Sequence, residues 1–309
     1  MPMLYYSPGQ VRVDRYYSSA AGYGDPAWKP AAPPGGMGET PRVAKLGDTQ
    51  AFICGGFDST TGTAKNTSFA YSRLTNSFTT KANLPIALQG HRAVRIPDGR
   101  VIVCGGHGNT SNPIASTYIY DPSTNTWTNG PSMPKALLWH VAGLLDDGRI
   151  WVATGNDGTQ NVNEAWTLNP QSMTWAQVAS LPASGRNRAQ GGPLPGNRAF
   201  VSGGATVPGN DFYIYNASTN SWGSGPSMPN YRSDGTSALV GLTLVIVGGF
   251  DGATNNPMPA YLFDTPSNAW SVGAVEPTKT SGDGAELGGM VFYWGTSTIS
   301  VRIAMVYWP

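Results

Sequence analysis

Histidines, arginines and acids recur immediately before short β-type runs in this sequence, and they are the residues that could do chemistry. His91 and Arg92 precede one such run, and Trp139 and His140 precede the next. Arginine binds a carboxylate through two parallel hydrogen bonds, and acids accept hydrogen bonds from hydroxyl groups. If these residues converge on one concave surface, their types predict a site for an anionic or polyhydroxylated ligand.

The candidate binding residues fall into two sets. The first set opens the short runs, and the second follows a repeated Gly-Gly pair. The first set contains Arg42, His91, Arg92, His140, Arg188, Arg232, Asp234 and Asp283, and the second contains His107 and Asp157. His91 and His140 are in register, each nine residues before the arginine that begins the next strand, and Arg188 falls near that position after a one-residue insertion. An alternative stays open, because such residues can simply solvate a water-filled channel and pair with one another, and His107 can be a loop histidine in solvent.

Signatures of catalysis are mostly absent. The two histidines in register could bind a metal with Asp234 or Asp283, but no HxH or HxxxH spacing supports such a site. There is no serine nucleophile elbow and no phosphate-binding loop, and the glycines at 248–253 are not followed by a helical pattern. We therefore expect no catalytic residue, no metal and no cofactor.

The elements that must position these residues repeat along the chain. Tyr120 lies seven residues before Trp127, and the same spacing of a first ring or leucine to a second aromatic occurs in five copies, each with a proline seven residues later. A β-rich run ending in glycine recurs at 55, 105, 154, 203, 248 and 294, with Thr154 and Trp294 replacing the glycine, so that the steps are 45 to 50 residues. A fixed period of this size predicts a β-propeller or a solenoid.

The paired glycines, the spaced tyrosine and the tryptophan about seven residues later resemble the kelch repeat, over roughly residues 25–309. The resemblance implies an all-β, six-bladed kelch-type β-propeller, with four antiparallel strands in each blade. Trp28 is in phase as an outer-strand aromatic, and residues 299–308 can form a third strand. We therefore expect the last blade to be closed by N- and C-terminal strands, with a propeller over 21–309.

Residues 1–20 are expected to form an N-terminal extension or arm. Residues 11–17 alternate enough to form a strand, and the arm could either pack on the surface or dock on another subunit or assembly. No signal peptide is visible at the N-terminus, and the compartment is left open.

Composition limits the partners. The 309 residues carry a net charge of +1, so no bulk field attracts nucleic acid, and no apolar run is long enough for membrane insertion. Cys54 and Cys104 occupy the same place in successive repeats, and we expect both to be small buried hydrophobes.

The favoured function is a non-catalytic binding or interaction module that presents loops on one propeller face to a protein or glycan, with the ligand at the channel mouth. A virion or cell-surface role would suit such a chain. The alternative is an enzyme acting on an acidic sugar, similar to the sialic-acid mutarotase that shares kelch blades. A third reading, an intracellular adaptor, is disfavoured because no BTB or F-box partner domain is present.

Overall fold

Strands and turns alternate throughout the computed structural model, which describes residues 12–17, 36, 38–205, 209–251, 258–275, 282–287, 291–295 and 300–307. Five four-stranded antiparallel sheets are built from consecutive segments of the chain, and a sixth joins residues from both ends. This architecture confirms the prediction of an all-β chain built from four-stranded antiparallel sheets.

The strands follow one another in chain order. The N-terminal strand is β1 (Arg12–Tyr17). The first consecutive sheet contains β2 (Arg42–Gly47), β3 (Gln50–Cys54), β6 (Ser68–Ser72) and β7 (Ser77–Lys81), and β4 (Phe57–Asp58) pairs with β5 (Thr63–Ala64) in a separate ribbon. The second contains β8 (Arg92–Arg95), β9 (Val101–Cys104), β10 (Thr117–Asp121) and β11 (Thr126–Asn129). The third contains β12 (Val141–Leu144), β13 (Ile150–Ala153), β14 (Ala165–Asn169) and β15 (Thr174–Val178).

The remaining strands complete three further sheets. The fourth contains β16 (Gln190–Leu194), β17 (Arg198–Ser202), β18 (Phe212–Asn216) and β19 (Ser221–Ser224). The fifth contains β20 (Thr236–Val240), β21 (Thr243–Val247), β22 (Pro259–Asp264) and β23 (Ala269–Val275). The last contains β24 (Gly282–Glu286), β25 (Val291–Gly295) and β26 (Ser300–Tyr307) together with β1.

Burial separates the strands of each sheet. Every residue of β9, β13 and β21 is buried, whereas the outermost strands β7, β11, β15 and β19 hold mostly exposed and half-buried residues. The continuous apolar runs before the glycines are therefore strands covered on both faces by neighbouring sheets. The first strands lie side by side around the centre, β2 beside β8, then β12, β16, β20 and β24, and β24 also lies beside β2.

The strand that joins the C-terminal strand differs from the one expected. β1 pairs with β26 in antiparallel register, with Val13 opposite Val306 and Tyr16 opposite Ala304. The prediction of an N-terminal partner strand around Trp28 is thus replaced by Arg12–Tyr17, and Trp28 lies outside the described residues. Residues 12–17, which lie within the predicted 1–20 arm, form this strand, and its backbone pairs with an edge of β26 that would otherwise be open.

The repeated tryptophans connect each sheet to the one before it. The indole Nε1 of Trp222 donates a hydrogen bond to the carbonyl of Ala179 at 2.7 Å, and that of Trp127 donates to the carbonyl of Ala82 at 2.8 Å. Trp175 and Trp270 donate in the same way to Pro131 and Pro226. The recurrence of tryptophan therefore reflects a bond between sheets as well as ring packing.

The substitution Trp222→Phe tests this bond. Phenylalanine keeps a ring there, as Phe78 does in the first consecutive sheet, but it cannot donate to the Ala179 carbonyl. We expect the free energy of unfolding to fall by about 0.5–1.5 kcal/mol in urea titrations. Trp222→Ala, which also removes the ring, should cost about 3–5 kcal/mol. Equal stability of Trp222→Phe and the wild type would contradict a contribution from the indole bond.

Candidate ligand-binding site at the channel mouth

One backbone position forms a ring at the mouth of the central channel. It lies two residues before the first strand of each consecutive sheet and is occupied by Thr40, Gly90, Trp139, Arg188 and Asp234, a set we name the collar. All five have positive φ, from 48° to 67°. Four of the five are not glycine, and a positive φ strains the backbone of such residues. Hydrogen bonds from the surrounding structure must therefore hold this conformation.

Hydrogen bonds between sheets impose the collar conformation. The amide of Trp139 donates to the carbonyl of Gly90 at 2.8 Å, that of Arg188 to Trp139 at 3.1 Å, and that of Asp234 to Arg188 at 2.9 Å. The residue before each collar position pairs with the loop that follows a glycine pair, as Gln89 does with His107. The segments before the first strands and after the glycines are thereby held together at one face.

The side chains at this face enclose a pocket of about 170 Å³. The Arg188 guanidinium carbon lies 4.3 Å from the centre of the Trp139 ring, and Arg188 Nη1 lies 3.4 Å from Asp234 Oδ2. The Trp139 ring meets the His107 ring edge to face, with 5.9 Å between their centres. The principal lining side chains are Glu39, Arg42, Phe57, Gln89, Arg92, Trp139, Arg188 and Asp234.

Two arginines form the floor of the pocket. Asp283 lies 4.0 Å from Arg42 and 3.7 Å from Arg92, and its Oδ2 accepts a hydrogen bond from the Val43 amide at 3.0 Å. These ion pairs are longer than the 2.7–2.9 Å of a charge-assisted hydrogen bond. The Arg42 Nε is buried without a hydrogen-bond partner among the described residues. The floor therefore has guanidinium donors that an anionic ligand could satisfy.

Burial changes the protonation of groups in the pocket. It lowers the pKa of Arg92 to about 10, and the positive charge of Arg42 acts in the same direction. Burial also raises the pKa of Asp234 above its usual range, against the opposing effect of Arg188, Arg42 and Arg92. Asp234 therefore accepts a proton more readily than an exposed aspartate does.

His91 and His140 are not at the mouth, which corrects their assignment as ligand-binding residues. Both are fully buried, with Nε2 3.7 Å from the Sγ of Cys54 and Cys104 respectively. A side chain at Gly55 would place its Cβ 2.5 Å from His91 Cε1, so the imidazole occupies space that only glycine leaves open. Burial and the charges of the nearby arginines hold the pKa of both histidines well below its usual range.

Arg232 is also buried and does not line the mouth pocket. Its Nη1 donates to the Gly248 carbonyl at 2.6 Å, its Nη2 donates to the Pro259 carbonyl at 2.5 Å, and its guanidinium carbon lies 4.3 Å from the centre of the Tyr261 ring. Arg232 stands four residues before its strand, the position that Leu88 and Leu137 hold in two other repeats. The register with these leucines is a sequence signal for burial.

The two candidates on the following loops have different places. His107 accompanies Trp139 at the rim, and its Nδ1 lies 2.9 Å from the Thr110 carbonyl. Asp157 accepts hydrogen bonds from the amides of Thr159 and Gln160, so it shapes its own loop and does not line the pocket. These bonds and that from the Thr159 hydroxyl lower the pKa of Asp157.

The structure brings Arg42, Arg92, Arg188 and Asp234 together in the lining of the mouth pocket, and Asp283 lies beside Arg42 and Arg92. Sequence reasoning missed Thr40, Gln89 and Gly90, which also line the pocket. The register of the collar would have indicated these positions. In that register Arg188 aligns with Trp139, whereas the sequence spacing places it at the histidine position, one residue later.

The described residues contain no group of three or more potential metal ligands among histidine, cysteine, aspartate and glutamate. The cysteines are buried and unpaired, and burial raises the pKa of both thiols. Within the same part of the chain, no helix has the length and apolar character to cross a membrane.

The glycine turns, the outer tryptophans and the sheets arranged around a channel define a kelch-type β-propeller. Residues 42–224 match the model of the KLHDC2/KLHL20/DRC7 kelch-repeats domain, and the chain belongs to that family. A solved structure described as the structure of YjhT is similar in fold, with a TM-score of 0.73 and 15% identity, over 89% of this chain and 95% of that chain. No curated protein matches the sequence.

Proposed function

We propose that this protein is a non-catalytic binding module that presents the mouth face of its propeller to an anionic segment of a protein or glycan. Membership of a kelch-repeat family supports a binding role in general, since these propellers mediate protein interactions. The finer statement, that the mouth pocket holds the anion, rests on the geometry of the collar and the floor.

The observation that carries the proposal is the placement of three arginines around one small pocket. Arg188 is 40% exposed and is held against Trp139, while Arg42 and Arg92 lie beneath it with donors not fully used by Asp283. The backbone bonds of the collar fix the positions of Trp139 and Arg188 before any ligand arrives. Such preorganisation lowers the entropy lost on binding.

The test begins with a glycan array and a peptide library to find a ligand, whose affinity is then measured by calorimetry. Arg188→Gln is expected to weaken binding about 10- to 100-fold, because a charge-assisted hydrogen bond contributes roughly 1.5–3 kcal/mol. Arg198→Gln serves as the matched control, since Arg198 donates to the Pro195 carbonyl in the turn between β16 and β17 and does not line the pocket. Equal loss in both variants, or none in Arg188→Gln, would refute the assignment of the mouth.

We also propose that the six sheets form one closed ring of six blades, with β1 as the fourth strand of the last blade and the propeller extending over 12–307. The pairing of β1 with β26 and the position of β24 between β20 and β2 support this arrangement. Deletion of residues 1–17 should then lower stability and promote association through the uncovered edge of β26. A deletion variant as stable and monomeric as the full chain would count against closure by β1.

A second candidate is an enzyme acting on an acidic sugar, favoured by one observation. Asp234 has a raised pKa and lies in a pocket whose arginines could hold a sugar carboxylate, which is the arrangement expected of an acid or base that moves a proton. The test follows the interconversion of N-acetylneuraminate anomers by proton NMR. An exchange rate above that of buffer, lost in Asp234→Asn, supports the enzyme, and a rate equal to buffer excludes this reaction.

A further inference from the structure

The channel behind the mouth forms a second cavity of about 370 Å³. This volume lies within the range of about 300–1,000 Å³ that small-molecule sites occupy. Arg92 lines both cavities, but most of the channel wall belongs to residues that play no part in the mouth pocket. The channel is therefore lined by a largely different set of side chains and can bind a different class of ligand from the mouth pocket.

The wall of the channel is divided into a charged side and an apolar side. The fourth residue of each consecutive first strand lines it: Lys45 and Arg95 in the first two sheets, followed by Leu144, Pro193 and Leu239 in the next three. Glu286 completes this level by pairing with Lys45 at 2.5 Å. At this level the apolar side chains of three adjacent sheets face two cations and one acid, and Arg92 and Asp283 add a third cation and a second acid to the channel lining.

Arg95 differs from the other cations of the channel in its ion pairing. Lys45 pairs with Glu286 and with Asp48, and Arg92 lies 3.7 Å from Asp283, whereas Arg95 has no ion pair with any described residue. Its Nε is buried and lacks a hydrogen-bond partner in the same part of the chain. An anion in the channel could therefore pair with the accessible part of the Arg95 guanidinium without displacing an ion pair to a described residue.

We propose that the channel is a binding site for a small amphipathic carboxylate. The carboxylate pairs with the Arg95 guanidinium, and the apolar body lies along Leu144, Pro193 and Leu239. A tail-less anion lacks the apolar contact, and an amphipathic cation is repelled by Arg95. The site is independent of the proposed mouth ligand and could be occupied whether or not that ligand exists.

Sodium octanoate is the probe for this site, and octylamine, acetate and inorganic phosphate are the comparisons. We expect octanoate to raise the melting temperature of the full chain in a concentration-dependent manner, because a ligand of the folded state stabilises it by mass action. Octylamine, acetate and phosphate should produce little or no shift at the same concentrations. Equal shifts with octanoate and octylamine, or with octanoate and acetate, would overturn the proposal.

Variants then locate the bound probe. Arg95→Gln is expected to weaken octanoate binding at least tenfold in calorimetry, while Arg100→Gln, which alters an arginine paired with Asp98 outside the channel, leaves it unchanged. Arg188→Gln should also leave it unchanged, which separates this site from the mouth. Unaltered octanoate affinity in Arg95→Gln would refute the assignment.

A substitution that narrows the channel provides a second test of octanoate binding. A Cβ at Gly192 would meet its nearest neighbour, Ser237 Oγ, at 3.7 Å, an ordinary contact, so Gly192→Val can narrow the channel from within β16. Octanoate should no longer stabilise this variant. Full stabilisation of folded Gly192→Val would contradict binding in the channel, and Arg95→Gln decides the question if Gly192→Val does not fold.

Discussion

Lowering the pH below about 6.5 is expected to reduce the free energy of unfolding through His91 and His140. Both imidazoles are fully buried, and burial holds their pKa well below the usual value of about 6.5. Below pH 6.5 the unfolded chain binds two protons that the folded chain does not, so stability falls as the pH falls. Each histidine contributes a slope of up to about 1.4 kcal/mol per pH unit over the range in which it stays neutral in the folded protein.

Urea titrations between pH 7.5 and 5 measure this slope. The variants His91→Asn and His140→Asn each remove one titrating group, and each should reduce the pH dependence by about half, whatever its effect on stability at neutral pH. His107→Asn is the control, because His107 stands at the rim near Trp139 and not in the core. All variants keep the same carboxyl groups, so differences in slope report the histidines. An unchanged slope in His140→Asn would show that this imidazole takes up its proton over the same pH range in the folded and the unfolded protein.

Replacing Arg232 by methionine is expected to lower the free energy of unfolding by about 3–5 kcal/mol, since two hydrogen bonds from a charged donor each contribute roughly 1.5–3 kcal/mol. The side chain is fully buried, and its removal deletes the hydrogen bonds that Arg232 donates to the carbonyls of Gly248 and Pro259. Methionine retains much of the apolar contact with the Tyr261 ring, so the loss reports mainly the bonds to the two carbonyls.

Arg188→Met is the matched control for this experiment. Arg188 is 40% exposed and its ion pair with Asp234 is long, at 3.4 Å, so its removal should cost clearly less stability than the removal of the fully buried Arg232. The two variants therefore separate an arginine that holds the fold from one available to a ligand. A stability loss in Arg188→Met as large as that in Arg232→Met would contradict this division, as would a mild effect of Arg232→Met.

The same comparison shows how far sequence spacing could locate the site. Repeats reveal which residues are equivalent, but an error of one residue in the alignment of two repeats replaces a position at the mouth by a buried position. Arg188 was aligned with the histidines, although it shares the collar position with Trp139 and Asp234. The local sequence does not predict a left-handed backbone here, because tryptophan and arginine rarely adopt this conformation. Hydrogen bonds from the neighbouring sheet impose it.

The sequence by itself determined the repeat, the strand order within each repeat, the all-β kelch-type fold and the general location of polar residues at one face. These follow from local patterns, since apolar runs, glycine turns and spaced aromatics each carry their own conformational preference. Only the tertiary structure decided that His91, His140 and Arg232 belong to the core, that Arg12–Tyr17 pairs with Ser300–Tyr307, and that Arg95 lines a channel without an ion-pair partner among the described residues. The physical reason is that burial and charge pairing depend on which sheets become neighbours, and this neighbourhood is created by residues far apart in the chain.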